Sequence, residues 1–478
     1  MSDLYKTPFT QRKIARVTIE LTTPLHLGSG LPGDVSDATV VTDANGFPAI
    51  PGTSLAGVLR ASVRATSSQE TASSIFGDLL HNKATNDSRE STQSSRVDVS
   101  WACIHDAKDS PVEGIRDPLA DMDEVLSLAS VPTLRDHVRI THKGVAKERG
   151  KFDELAVHAG HRFTFEMEMV AKSGEDLETN WGLVLDALHS EQLRLGGKSR
   201  RGFGAFKVVR VLQKSFDLTS IEDNLAYRQH PSSLSAEPEG NWEKYTPDQA
   251  SESEAFATLH LKPRNLWMFG GGVDLAENGQ GVDLAPVRDS QVVWNNDQGK
   301  VVRDVIYMPG SSIKGAVAHR VAYHYNLAVG NFAGEAEADT CTGAANSAVR
   351  MLFGEIKSDG GGSRGHVIIN DIYLKREMPS QRLPHVKIDS FTGGAYPSAL
   401  FDERPILGLP TGMDRIEIKV YVTDLNESSE ASSESTEKAK AALKAALQDL
   451  ASGNLQLGGG TNRGLGAFEG DVEFTSAA

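Results

Sequence analysis

Two stretches of the chain combine glycines and cations in a spacing that could hold an anion. Leu195–Phe206 reads LGGKSRRGFGAF, and Leu457–Phe468 reads LGGGTNRGLGAF. Glycines permit positive φ and close backbone approach. Lys198, Arg200 and Arg201 in the first loop, and Arg463 in the second, are placed to contact phosphate oxygens. Neither loop is a nucleotide cradle of the two familiar kinds. The G-x-x-x-x-G-K-[ST] register puts Gln192 where its first glycine is required, and the second loop has no lysine. The G-x-G-x-x-G register puts Lys207 and Glu469 where the third glycine belongs. The competing reading is a helix C-cap and a turn into a strand.

A second pair of motifs has related chemistry. IPGTSLAGVLR begins at Ile50 and MPGSSIKGAVAHR at Met308. A turn of this kind entering a helix presents backbone N–H groups and hydroxyls to an anion. Ser54, Ser311 and Ser312 supply the hydroxyls. Arg60 and Arg64, or Lys314 and Arg320, follow on the helix. One such turn would be ordinary N-capping. Two of them, each followed in order by a glycine loop with a basic centre, point to the backbone of RNA.

These motifs belong to a longer repeat. Phe47–Val63 matches Val305–Val321, Ser74–Leu80 matches Met351–Lys357, and His137–Val157 matches His385–Ile406. The offsets are 258 from Pro51 to Pro309, 248 from His137 to His385 and 262 from Gly197 to Gly459. Four segments kept in order at nearly constant offset imply a tandem duplication. Each half begins with a strand of alternating apolar and polar residues (ARVTIELTT, AFATLHLKP). A helix then opens at the Pro-Gly turn, two further strands follow, and a second helix precedes the glycine loop and the last strand. This is a βαββαβ order. We therefore expect an α+β chain of two tandem ferredoxin-like (RRM-like) units with insertions. The first spans 1–213, an acidic Ser/Pro-rich linker 214–254, and the second unit 255–478.

Composition limits the function classes. The chain has 478 residues, enough for two cores, and 39% of them are hydrophobic. Its formal net charge is −15, so nucleic acid must be held by local basic patches and not by a global field. The two cysteines, Cys103 and Cys341, cannot build a disulfide framework or a Cys-based zinc site. No apolar run reaches the ~20 residues of a membrane span, and the N-terminal MSDLYKTPFTQRK lacks a signal core. A cytoplasmic location without membrane contact is the expectation.

The motifs [IM]PG[ST]S[LI]xG, FG[DE] and LGGx[ST]xRGxGAF, met in that order in both halves, resemble the RAMP superfamily of CRISPR-associated proteins. More narrowly, the chain resembles the crRNA-binding backbone subunits of type III effectors, the Cas seven family, as a fusion of two units of the type III-D kind. The resemblance implies a palm that grips crRNA, partner subunits of the same superfamily, and a thumb hairpin displacing every sixth nucleotide of the guide–target duplex. His137, Arg139, His385 and Lys387 lie where those thumbs are expected. It also implies cleavage of complementary target RNA with a divalent metal, Mg2+ or Mn2+, at an aspartate before the Pro-Gly turn. VSDATVV places Asp37 there and VRDSQVV places Asp289, 252 residues on. An aspartate could hold the cation or orient an attacking 2′-OH; a lone loop carboxylate also serves as a solvated turn residue or cap. Three further readings stay open: the same scaffold without cleavage, a tandem ferredoxin-like protein with no RNA role, which the net charge favours and the repeated basic loops oppose, and a crRNA-processing endoribonuclease similar to the Cas six family. Two glycine loops and two Pro-Gly turns oppose the last.

Overall fold

The computed structural model describes residues 8–28, 39–78, 93–117, 122–247, 255–274, 281–332, 338–356, 362–374, 376–423 and 433–475. In the first half the elements are β1 (Phe9–Leu21), α1 (Gly52–Thr66), β2 (Val97–Val99), β3 (Thr133–Ile140), β4 (Ala146–Ala156), β5 (Arg162–Lys172), α2 (Leu177–Leu188) and β6 (Phe206–Asp217). In the second half they are β7 (Ala257–Pro263), β8 (Arg288–Asn295), β9 (Gln298–Met308), α3 (Gly310–Ala328), β10 (Val367–Ile369), β11 (Leu383–Ile388), β12 (Ala395–Glu403), β13 (Ile416–Val422), α4 (Ser433–Ala451) and β14 (Phe468–Phe474).

The two halves repeat one sheet. The first contains the order β2-β5-β1-β6, with the short strand Glu243–Lys244 added outside β6 and Cys103–Ile104 beside β5, and the second is ordered β10-β13-β7-β14, every neighbouring pair antiparallel. The period-two pattern of β1 sends Ala15, Val17, Ile19 and Leu21 to one face, where α1 contributes Leu55, Leu59 and Val63 and α2 contributes Trp181, Val184, Leu185 and Leu188. The second core repeats this with Leu259 and Leu261 of β7 against Ile313, Val317 and Val321 of α3 and Leu443, Leu447 and Leu450 of α4. Each helix thus buries an i, i+4 stripe on a sheet that supplies the other half of the core. Between β2 and β5, and between β10 and β13, each half extends a two-stranded hairpin, β3–β4 and β11–β12.

The other face of the first sheet is polar and carries ion pairs and hydrogen bonds within the half. Thr18 and Thr164 hydroxyls lie 2.7 Å apart, Arg16 pairs with Glu166 at 3.1 Å, and Arg162 with Glu20 at 3.0 Å. The stretch expected to be a linker covers this face. Residues 214–217 complete β6, Ile221–Gln229 form a helix, Tyr227 donates to Glu168 at 2.9 Å and His230 approaches Glu166 at 2.9 Å. As far as residue 247 it is therefore part of the first half, because its polar groups complete hydrogen bonds that the sheet face offers.

The halves are joined by the hairpin β8–β9, which leaves the second half and packs on the first. Val292, Trp294 and Val301 meet Ala107, Val125 and Leu128. The amide of Val292 donates to the Ala159 carbonyl at 3.0 Å and the Trp294 indole to that of Gly160 at 2.7 Å. Gly160 has φ +88°, and a Cβ there would stand 1.9 Å from the Val292 oxygen. Only glycine admits this approach.

Candidate nucleic-acid interface

At the root of each hairpin the same four side chains meet. In the first half His137 stacks on Phe152 with ring centroids 5.1 Å apart, and Glu154 lies 3.7 Å from His137. Lys198 pairs with Glu154 at 2.9 Å, Arg201 pairs with it too, and the Arg201 guanidinium sits 4.5 Å from the Phe152 ring. In the second half His385 stacks on Phe401 at 4.9 Å, Glu403 lies 2.9 Å from His385, and Arg463 donates to Glu403 at 2.6 Å. The glycine loops therefore hold their hairpins. They deliver a cation to a carboxylate that is 5% exposed in one half and 0% in the other. Burial opposes ionisation of Glu154, but Lys198 and Arg201 outweigh it and hold its carboxyl below the usual range. Burial also lowers His137, whose ring stacks on Phe152.

Glu154 and Glu403 were not among the residues singled out in the sequence. The signal was present: both aligned blocks carry Phe-Asp-Glu, at Phe152–Glu154 and Phe401–Glu403. Beyond the roots the hairpins project outward. Arg139 and Lys387 are exposed, the latter 4.8 Å from the Tyr396 ring, as are Val138, Ile140, Val386, Ile388 and Phe391.

The Pro-Gly turns open α1 and α3 in matching fashion, with Pro51 and Pro309 at the N-cap and no side-chain cap bond. Ser54, Ser311 and Ser312 are thus first-turn residues and not N-caps. The amide of Gly310 is satisfied instead by Asp371, whose Oδ1 accepts at 2.8 Å. A Cβ on Gly310 would meet the Ile369 oxygen at 2.2 Å, which explains the glycine. Arg60 lies 3.5 Å from Asp78, and Arg64 stands exposed near the end of its helix. Lys314 points into the junction, donating to the carbonyls of Arg200 at 2.8 Å and Val367 at 2.9 Å.

Asp37 lies outside the described residues. Asp289 sits at the start of β8, buried in the junction. Arg135 of β3 donates to its Oδ2 at 2.6 Å, Tyr373 donates to the same oxygen at 2.8 Å, and His158 lies 3.1 Å from Oδ1. The backbone amide of Ser290 also donates to Oδ1, at 2.8 Å. Burial raises this carboxyl, but His158, Arg135 and Tyr373 reverse the effect and bring it to about 2. The Arg135 guanidinium lies 3.9 Å from the Tyr307 ring and 3.6 Å from Asp371, whose own carboxyl is pushed up by burial to about 6. With an arginine on it and both oxygens engaged, Asp289 does not offer a cation the donor set of a metal site. Among the described residues no three His, Cys, Asp or Glu side chains group as metal ligands, and no helix is long and apolar enough to cross a membrane.

The family model of the RAMP superfamily matches residues 18–207 and 266–469. Each match takes in one Pro-Gly turn, one hairpin and one glycine loop. No curated protein matches the chain.

Proposed function

The chain belongs to the RAMP superfamily, and on that premise we propose that it is the crRNA-binding backbone subunit of a type III CRISPR effector, two ferredoxin-like (RRM-like) units in one chain. Membership makes it a CRISPR-associated RNA-binding protein that works with other subunits. The observation carrying the finer reading is the duplicated hairpin root: His137, Phe152, Glu154 and Arg201 in one half, His385, Phe401, Glu403 and Arg463 in the other. The same clamp is built twice, so the chain carries two hairpins held in the same way, as contact with a periodic duplex would use. Their exposed Val138 and Ile140, or Val386 and Ile388, suit contact with base faces, and Arg139 and Lys387 suit contact with phosphates.

Target cleavage is the catalytic extension of this proposal. Asp289 is committed to Arg135, so we assign the reacting carboxylate to Asp37. A divalent cation at Asp37 would stabilise the charge that develops as a 2′-OH attacks the phosphate.

The test uses the assembled complex with guide and complementary RNA. Asp37→Ala should abolish a specific cut, while Asp289→Asn should leave that cut in place. Cleavage unchanged by Asp37→Ala would overturn the assignment. Salt-insensitive or absent RNA binding by the complex would overturn the reading as a whole.

A further inference from the structure

The sheet faces turned away from the two cores match strand by strand, with their charges reversed. In the first half Glu20 of β1 stands between Arg162 of β5 and Lys207 of β6 and pairs with them at 3.0 and 2.8 Å. At the matching place in the second half, His260 of β7 stands between Glu417 of β13 and Asp471 of β14. Two residues back along the strand, Arg210 lies opposite Thr18 in the first half, and Glu473 opposite Thr258 in the second. Side chains directly opposite on one face are neighbours. Three cations of the first face are thus three carboxylates on the second.

The first face is covered by the chain itself, through residues 218–247, and that cover is acidic, with five carboxylates against two cations. Among the described residues the second face has no such cover. Arg415 is spent on Asp471, and Lys262 and Arg264 on Glu469. Glu417 and Glu473 are exposed and, among the described residues, pair with no cation. A groove of about 150 Å³ opens beside Glu417, lined also by Asn370, Ile372, Lys419 and Tyr421. The first half already reaches its edge. Lys419 donates to Glu191 at 2.8 Å, and Arg194 donates to Asn370 at 3.0 Å with its guanidinium 5.5 Å from the Tyr421 ring.

We propose that this face is a protein-docking surface whose occupant is a basic segment of a partner subunit, with one arginine or lysine seated in the groove against Glu417. The assignment goes beyond the RNA-binding reading and does not rest on it.

Charge selects the class of occupant. Free carboxylates repel phosphate, so a nucleic-acid strand does not suit this face. They equally oppose the acidic segment 218–247 of a second copy. The first half shows that such a face takes a cover of opposite sign, and here that sign is positive. The groove is smaller than the roughly 300 Å³ at which small-molecule pockets begin, and suits one long side chain. An arginine or lysine can lay its aliphatic stem along Ile372 and Tyr421 and bring its charge to Glu417. Arg194 already sets a guanidinium beside the same tyrosine, so the partner would continue a contact that the first half begins.

Thr258→p-benzoylphenylalanine is introduced into the full chain. The complex is assembled in cells and irradiated, and cross-linked peptides are identified by mass spectrometry. The expected product joins this face to a segment of another subunit with an excess of lysine and arginine. A synthetic peptide of that segment is then titrated against the parent chain, Glu417→Lys, Glu473→Lys and the remote control Glu70→Lys, each checked for folding by circular dichroism melting. Glu417→Lys and Glu473→Lys should each weaken binding about tenfold, while Glu70→Lys should leave it within about twofold. A peptide with its anchoring cation changed to glutamate should recover affinity for Glu417→Lys and lose it for the parent. A cross-link to RNA, to a second copy of this chain or to an acidic segment would overturn the proposal. So would the absence of any protein cross-link, or equal affinity of the parent and Glu417→Lys. Each of these failures leaves the RNA-binding reading standing, because that reading is tested by guide binding and target cleavage.

Discussion

Arg135 of the first hairpin and Asp289 of the second half stand 2.6 Å apart, both buried, with Tyr373 bonded to each. This pair ties the root of a hairpin to the far half of the chain. Its energetic character follows from its burial: removing Asp289 leaves the buried Arg135 facing Asp371 at 3.6 Å in place of its closest counter-charge.

Asp289→Ala should therefore destabilise the protein by about 3–5 kcal/mol, the usual cost of orphaning a buried charge. Replacing both residues, as Arg135→Met with Asp289→Leu, should recover much of that loss. Urea unfolding of the two single variants and the double variant measures it. Equal stability of Asp289→Ala and the parent would show that the pair is not structural.

The carboxylate at the first hairpin root neutralises two cations, Lys198 and Arg201. Glu154→Gln removes that hold on Lys198 and Arg201. RNA binding should then become more salt-sensitive, by about 0.7 in slope for each phosphate newly contacted. The hairpin 133–156 should also be cut faster by protease, since its root loses its ion pairs. A steeper slope without faster proteolysis would mean that the stacked His137 and Phe152 hold the root unaided.

Protonation acts in opposite directions at two buried groups. Lys314 is lowered by burial, Arg200 and Arg201 from its ordinary 10.5 to about 7. Between those values the unfolded chain binds a proton that the folded chain does not, so its contribution to stability rises with pH. Asp371 is raised by burial from 3.8 to about 6. Between those values the folded chain holds the extra proton, and stability falls as pH climbs. Lys314→Met should flatten the alkaline rise, and Asp371→Asn the acidic fall, in denaturant midpoints compared with the parent from pH 4 to 10.

Gly160→Ala tests how the halves are joined. Positive φ at a residue with a side chain costs about 1–3 kcal/mol, and the added Cβ would also collide with Val292. The hairpin β8–β9 should lift from the first half, and unfolding should separate into two transitions, one per core. A single unshifted transition would show that the contact is dispensable.

Much of this architecture is legible in the chain itself. The repeat register, the glycine loops, the Pro-Gly turns and the alternating strands are local patterns, and each appears twice. Duplication gives them a second witness: the Phe-Asp-Glu at both hairpin roots is visible once the halves are aligned. Asp289 shows where this reasoning stops. Its place in the repeat matches Asp37, yet its neighbours are Arg135, His158 and Tyr373, and Arg135 is 154 residues away.

The sequence by itself determined what kinds of groups the protein carries and in which order: cations at the loops, hydroxyls at the turns, apolar faces on the strands. The tertiary structure decided which of those charges are spent. Lys198 and Arg201 look like phosphate ligands until Glu154 arrives from β4, 47 residues before Arg201, while Lys314 reaches the Arg200 carbonyl only because the two halves abut. Local pattern follows from neighbouring residues and their periodicity. Charge pairing depends on distances across the folded chain, and no spacing along the sequence contains them.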